Sequence, residues 1–128
     1  KKKDKVLVMF AGVGPYSVVI AKKGIEITAI ELGRDCNKYA KENNKLNHVN
    51  VNLIQGDVKK QIPKLKQKFD VVIMARPNLK DSFLDVAFPK IKKKGVIHYY
   101  GFSDKIIIYK KVDKNYKRFV CNLFTNAT

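Results

Sequence analysis

Cysteine is rare in this sequence, tryptophan is missing, and no long apolar run occurs. The two cysteines, Cys36 and Cys121, form no CxxC pair and are too few for a disulfide framework, which argues against a disulfide-stabilised secreted domain. No apolar stretch reaches the roughly 18 residues of a membrane helix, and no signal peptide is visible. The two histidines, His48 and His98, show no metal-ligand spacing. We therefore expect a cytoplasmic protein with no membrane partner and no metal.

Acidic residues are also scarce, with 11 Asp and Glu against 27 Lys and Arg and a formal net charge of +16. A field of this sign concentrates polyanions, of which nucleic acid is the usual one. Only Arg34, Arg76 and Arg118 are arginines. Lysine suits phosphate as a point charge, whereas bidentate recognition of bases favours arginine. The basic surface is thus predicted to set affinity for nucleic acid and not sequence choice; a compositional bias toward lysine is the alternative.

Hydrophobic residues make up 45% of the 128 residues, enough for a single domain, predicted to span 1–128, with a real core. Apolar runs alternate with helical patterns, which is typical of a parallel α/β sheet. Strands are predicted at 5–10, 26–31, 50–55, 69–74 and 95–100, and helices at 15–23, 35–46, 58–66 and 80–89. Residues 106–112 and 116–124 are predicted to form a C-terminal antiparallel hairpin. The predicted fold class is α/β: a Rossmann-like, doubly wound, mostly parallel sheet with that hairpin.

The stretch V-L-V-M-F-A-G-V-G-P-Y, residues 6–16, is the most informative in the chain. An apolar strand stops at Gly12 and Gly14, and Pro15 stands where a helix can begin. Glycines let the backbone approach a ligand, and the N-terminus of a helix offers N–H groups. The second strand ends at Glu31, whose carboxylate can accept bonds from ribose hydroxyls. The pattern predicts a nucleotide-like cofactor here; a structural turn without ligand is the alternative.

The third strand is followed by Gly56 and Asp57. Because the carboxyl ends of parallel strands surround one crevice, Gly14, Glu31 and Asp57 are expected to face the same ligand, with Asp57 suited to an exocyclic amine. Asp57 as the N-cap of the next helix is the alternative. We favour ligand contact because three strand ends agree. A dinucleotide is disfavoured, since Ser17 occupies the third glycine position of G-x-G-x-x-G.

The fourth strand leads into Arg76, Pro77 and Asn78, the candidate catalytic residues beside an acceptor. Pro77 imposes an extended entry to the next segment, and Asn78 can bond a base edge. Arg76 can bind a phosphate or a carbonyl but cannot act as a base. An ordinary surface arginine is the alternative for Arg76.

Several motifs together resemble the archaeal tRNA guanine-N1 methyltransferases and, similarly, the related wybutosine transferases. They are F-A-G-V-G-P (Phe10 to Pro15), Glu31, E-N-N-K-L-N (Glu42 to Asn47), G-D-V (Gly56 to Val58) and G-V-I-H-Y-Y (Gly95 to Tyr100), so the resemblance covers about residues 5–102. It implies a class I methyltransferase fold, S-adenosyl-L-methionine as cofactor, tRNA as partner and guanine N1 beside the anticodon as acceptor. The cofactor-binding residues it implies are Phe10, Ala11, Gly12, Gly14, Pro15, Glu31, Leu32, Gly56, Asp57 and Val58.

This chain departs from the family pattern at three places. Val8 stands where the family has an aspartate, Gly33-Arg34 replaces Asn-Pro, and Ala75–Asn78 replaces an Asn-Pro-Pro-like loop. Substituting Val8 by Asp is therefore expected to tighten cofactor binding. The family's RNA-binding region, with its proton-handling residues, is expected upstream of this segment. Two alternatives stay open: a tRNA aminocarboxypropyl transferase of wybutosine synthesis, and a degenerate RNA-binding module without activity.

Overall fold

The computed structural model describes residues 3–12, 14–74, 83–102 and 118–124. Within these residues the strands are β1 (Lys5–Met9), β2 (Glu26–Glu31), β3 (Asn52–Gln55), β4 (Phe69–Met74), β5 (Ile91–Phe102) and β6 (Arg118–Phe124). The helices are α1 (Pro15–Ala21), α2 (Arg34–Leu46), α3 (Val58–Gln61) and α4 (Leu84–Ala87). α3 and α4 each continue into a 3-10 turn, Ile62–Lys64 and Phe88–Lys90.

The strands form one six-stranded sheet in the order β3-β2-β1-β4-β5-β6, and every pair is parallel. The chain builds outward from β1 to β3, returns to the centre and builds outward again from β4. The order therefore reverses between β1 and β4, and a crevice opens beyond the carboxyl ends of the strands at such a reversal. The predicted doubly wound α/β fold is confirmed.

The last strand joins the sheet as a parallel neighbour of β5, with Val96 opposite Arg118 and Phe102 opposite Phe124. Residues 103–117 separate the two strands, and a parallel connection needs about a dozen residues or more. The first strand of the predicted hairpin, 106–112, lies outside the described residues, so its antiparallel pairing stays a prediction.

β5 begins at Ile91 and not at residue 95. The sequence did not predict this early start, because residues 92–94 are all lysines and carry no apolar pattern. The pairing register of β4 and β5 shifts between Phe69 and Val71. Gly95 lies at this irregularity, where a Cβ atom would stand 2.5 Å from Cγ1 of Ile91 and 3.0 Å from the carbonyl oxygen of Asp70. Glycine thus permits a close approach of the two strands.

Asp70 ties three strands together at the amino edge of the sheet. Its Oδ2 accepts a hydrogen bond from the backbone N–H of Lys5 at 2.8 Å and lies 3.1 Å from Nζ of Lys92. Burial alone raises the pKa of Asp70, but the bond from Lys5 and the charge of Lys92 outweigh it, so the pKa lies below its ordinary value of 3.8.

Apolar side chains pack on both faces of the sheet because successive residues of a strand point to opposite sides. Leu7 and Met9 belong to one cluster, whereas Val6 and Val8 belong to the other. Val8 is only 1% exposed, among the apolar side chains of neighbouring strands. This burial argues against the expectation that an aspartate at position 8 would improve cofactor binding.

Candidate functional site

A cavity of about 320 Å³ lies where β1, β2 and β3 end. This volume is at the lower end of the range for small-molecule sites. The strand ends predicted to meet at one ligand do lie together. The predicted cofactor residues that line the cavity are Phe10, Glu31, Leu32, Gly56, Asp57 and Val58.

Glu31 is held in place by two backbone groups from different segments. Its Oε2 accepts a hydrogen bond from the N–H of Gly12 at 3.1 Å, and its Oε1 accepts one from the N–H of Gly33 at 3.2 Å. A carboxylate oxygen can accept two bonds, so each oxygen keeps capacity for a further donor. The two bonds therefore fix the carboxylate without using up its acceptor sites.

The backbone of Glu31 also joins the neighbouring elements. Its carbonyl oxygen accepts bonds from Nδ2 of the buried Asn37 at 2.8 Å and from the N–H of Gly56 at 3.0 Å. The same Asn37 amide donates to the carbonyl of Gly33 at 3.0 Å. The end of β2, the start of α2 and the end of β3 are thus held as one unit.

Ala11, Gly12, Gly14 and Pro15 shape the glycine turn but are not among the residues that line the cavity. The N–H of Ala11 donates to Ile30, the N–H of Gly14 donates to the carbonyl of Ala11, and Pro15 opens α1. Gly14 has φ 89° and Gly12 has φ 60°, both in the left-handed region that favours glycine. A Cβ atom built at Gly12 meets no atom of the described residues within 4 Å, so with respect to that part of the chain this side of the turn is open.

Asp57 combines the two roles that the sequence left as alternatives. Its Oδ1 accepts a hydrogen bond from the N–H of Lys59 at 2.9 Å, which caps α3. The residue also lines the cavity. Capping uses Oδ1, and Oδ2 can still accept a bond from a ligand.

Two residues of the cavity wall, Lys59 and Phe83, were not predicted. The rings of Phe83 and Phe10 meet edge to face with centroids 5.1 Å apart, and Nζ of Lys59 lies 4.9 Å from the Phe83 centroid. Phe10 and Phe83 have φ values of 60° and 54°, an unfavourable conformation that is often concentrated at functional sites. The position of Lys59 beside Asp57 could have indicated it, but no pattern in the sequence marks Phe83.

The predicted acceptor residues Arg76, Pro77 and Asn78 lie outside the described residues, so their roles stay predictions. Ser17 is 1% exposed, and its Oγ has no hydrogen-bond partner in the described part of the chain. Across that same part, no group of three or more His, Cys, Asp or Glu residues is arranged to hold a metal ion. Its helices are all too short or too polar to cross a bilayer.

Comparisons with known proteins agree with this geometry. The TRM5/TYW2 methyltransferase domain model matches residues 1–125. The chain is 44% identical over 101 residues to the tRNA (guanine(37)-N(1))-methyltransferase Trm5b of Pyrococcus abyssi, covering 78% of this chain and 29% of that protein. It is 36% identical over 110 residues to the tRNA(Phe) (4-demethylwyosine(37)-C(7)) aminocarboxypropyltransferase of Methanocaldococcus jannaschii, covering 84% and 44%.

A solved structure, that of M. jannaschii TYW2 in complex with AdoMet, superposes with a TM-score of 0.68 at 36% identity. The match covers 77% of this chain and 46% of that one. In each of these comparisons the chain spans less than half the length of its relative.

Proposed function

The chain belongs to the TRM5/TYW2 methyltransferase domain family, and from this premise we propose that it is the catalytic domain of an S-adenosyl-L-methionine-dependent tRNA methyltransferase. The proposed acceptor is N1 of the guanine beside the anticodon. The observation that carries the proposal is the meeting of three strand ends at one cavity, with the Glu31 carboxylate fixed by two N–H groups.

The residues of the cavity fit an adenosine-bearing cofactor. Leu32 and Val58 offer apolar walls for a base, and Oδ2 of Asp57 is available to an exocyclic amine. The remaining acceptor sites of Glu31 suit ribose hydroxyls. The open side of the turn at Gly12 leaves room for the rest of the molecule. When bound, S-adenosyl-L-methionine supplies an electrophilic methyl group on a sulfonium.

The chain's part in the transfer is mainly positioning, since holding an acceptor nitrogen in line with a methyl group accounts for much of such an acceleration. Guanine N1 must also lose its proton, and we assign no carboxylate or histidine of the described site as the general base that accepts it. We assign contact with the acceptor to the segment of Arg76, Pro77 and Asn78, on the sequence argument alone. The cytoplasmic location and the RNA-binding region upstream stay predictions.

The substrate is proposed to be tRNA on two grounds. The formal charge of +16 favours a polyanion, and both curated relatives named above act on tRNA according to their names. The test is to incubate the chain with S-adenosyl-L-methionine and a tRNA transcript that carries guanosine next to the anticodon, and then to analyse the nucleosides by mass spectrometry. We expect cofactor binding but only slow formation of 1-methylguanosine, because no residue of the described site is assigned as the general base. Saturable cofactor binding without any 1-methylguanosine after prolonged incubation would contradict the proposed reaction, and fast methylation by the chain alone would contradict the expected slow turnover.

Aminocarboxypropyl transfer is the second candidate, supported by the 36% identity to an enzyme of that name. It breaks a different carbon–sulfur bond of the same cofactor, so the by-product separates the two reactions. Methyl transfer leaves S-adenosylhomocysteine, whereas aminocarboxypropyl transfer leaves methylthioadenosine. The third candidate, a binding module without activity, predicts no heat when the chain is titrated with S-adenosyl-L-methionine in a calorimeter.

A further inference from the structure

One face of α2 carries a row of positive charges, which we call the basic stripe: Arg34, Lys38, Lys41 and Lys45. Their spacing of four, three and four residues places them on the same side of a helix. All are exposed, and the buried side of α2 is formed by Asn37, Ala40 and Asn44. At a rise of 1.5 Å per residue, the stripe is about 16 Å long.

Among the described side chains that line the groove, the four cations of the basic stripe outnumber the one carboxylate, that of Glu42. In the described part of the chain, none of the stripe's side chains forms an ion pair with a carboxylate. Like charges at this spacing repel one another and weaken a helix, so contacts within the stripe do not account for the clustering of these residues on α2. The arrangement leaves a row of ammonium and guanidinium groups available to an anionic partner.

The stripe borders a polar groove of about 350 Å³, which Gln55 at the end of β3 also lines. β3 is the outer strand on this side of the described sheet. The remaining lining residues are Asn37 and Glu42, so no apolar side chain takes part. A groove with amide groups and an excess of cations suits phosphodiester oxygens better than an apolar ligand or an amphipathic helix.

The stripe also begins beside the proposed cofactor site. Arg34 starts the helix that follows Glu31 and Leu32, and Gln55 directly precedes Gly56. From there α2 leads away from the carboxyl edge of the sheet toward Lys45. A chain of phosphates that occupies the stripe therefore passes the rim of the cavity and continues along the β3 side of the domain.

We propose that the basic stripe and Gln55 form a track for the sugar-phosphate backbone of the RNA substrate, at nucleotides away from the one that reacts. The identity of the RNA rests on the proposed function, whereas the track itself rests on the charges and the groove. Lysine-rich contacts of this kind add affinity without reading bases. The track anchors the RNA on the β3 side of the domain.

The test compares the full chain with the triple variant Lys38→Gln, Lys41→Gln and Lys45→Gln in binding a fluorescent tRNA transcript over a range of salt concentrations. Each lost phosphate contact removes about 0.7 from the slope of log K against log salt. At 0.1 M salt this corresponds to roughly fivefold in affinity per contact, or about 100-fold for three contacts. The matched control is Lys64→Gln, Lys66→Gln and Lys68→Gln, three exposed lysines just before β4 that do not line the groove of the stripe.

We expect the stripe variant to lose about 100-fold in affinity and about 2 units of salt slope, and the control to change little. Calorimetry with S-adenosyl-L-methionine on the same proteins keeps the two proposals apart. If all three proteins bind S-adenosyl-L-methionine, but the stripe variant and the control variant bind RNA with the same affinity, the track is refuted and the proposed function stands. If no cofactor binds but the stripe variant alone loses RNA affinity, the function fails and the track stands. A change in sedimentation without RNA, with RNA affinity unaltered, would instead mark the stripe as a protein contact and overturn the proposal.

Discussion

Replacing Gly12 by alanine separates the folding role of the glycine turn from its proposed binding role. Gly12 has φ 60°, and a Cβ atom there meets no atom within 4 Å among residues 3–12, 14–74, 83–102 and 118–124. Alanine in the left-handed region costs about 1–2 kcal/mol of unfolding free energy. The added methyl group also occupies the space beside the turn that we assign to the cofactor, although Gly12 itself does not line the cavity. Overpacking of that space costs about 1–3 kcal/mol. The affinity for S-adenosyl-L-methionine is then expected to fall about 10- to 100-fold, since 1.4 kcal/mol is a factor of ten.

Gly24 provides the matched control for this experiment. It has φ 76°, and its built Cβ likewise meets no described atom within 4 Å. Gly24 follows α1 at the opposite end of that helix from the cavity. Urea denaturation is expected to give similar stability losses for Gly12→Ala and Gly24→Ala. Calorimetric titration is expected to show weaker cofactor binding only for Gly12→Ala. Equal affinities in the two variants would refute the assignment of the open side of the turn to the ligand.

Three further predictions concern side chains of the site and the sheet. Glu31→Gln keeps one acceptor oxygen and loses the charge, so the affinity for S-adenosyl-L-methionine should fall about 10- to 100-fold in calorimetry. The control Glu26→Gln, on an exposed residue of the same strand, should leave the affinity unchanged. Equal losses in the two variants would contradict the role of Glu31. Val8→Asp buries a carboxylate at a position that is 1% exposed, so urea denaturation should show that the free energy of unfolding falls by about 3 kcal/mol or more. This loss should exceed that of Val8→Ala. Wild-type stability together with tighter cofactor binding would instead support the family pattern. Asp70→Asn keeps an acceptor for Lys5 but loses the charge that faces Lys92, so it should cost about 0.5–1 kcal/mol at neutral pH. Because the pKa of Asp70 is lowered in the folded state, the contribution of its charge to stability is present above the unfolded pKa and is lost as the pH falls through the folded pKa. In urea denaturation at decreasing pH, the difference in unfolding free energy between Asp70→Asn and the wild type should therefore shrink below pH 3.8. A difference that stays constant would argue against the ion pair.

The doubly wound fold class and the meeting of three strand ends could be predicted because they follow from local patterns. A continuous apolar run, a glycine turn and a helix repeat along the first part of the chain, and parallel strands joined in this way place their carboxyl ends at one edge. Glu31 and Asp57 were therefore placed at one site from their positions in the sequence alone.

The remaining features depend on contacts between distant segments. Phe83 lines the cavity and its ring contacts that of Phe10. No sequence pattern near residue 83 predicts this contact. The early start of β5 depends on the fit of Gly95 against the backbone of Asp70. The burial of Val8 depends on packing by neighbouring strands, which comparison with a family pattern does not reveal. The expected effect of an aspartate at this position on cofactor binding stays a prediction.

The most direct test of the account is a two-dimensional NMR titration of the chain with S-adenosyl-L-methionine. Convergence of three strand ends on one cofactor predicts that the largest amide shift changes occur together at Gly12, Leu32 and Asp57, with a single saturation curve. Amides at the opposite edge, such as those of Gly24 and His48, should move little. The central claim is contradicted if the largest changes occur at that opposite edge, or if no amide shifts at millimolar cofactor.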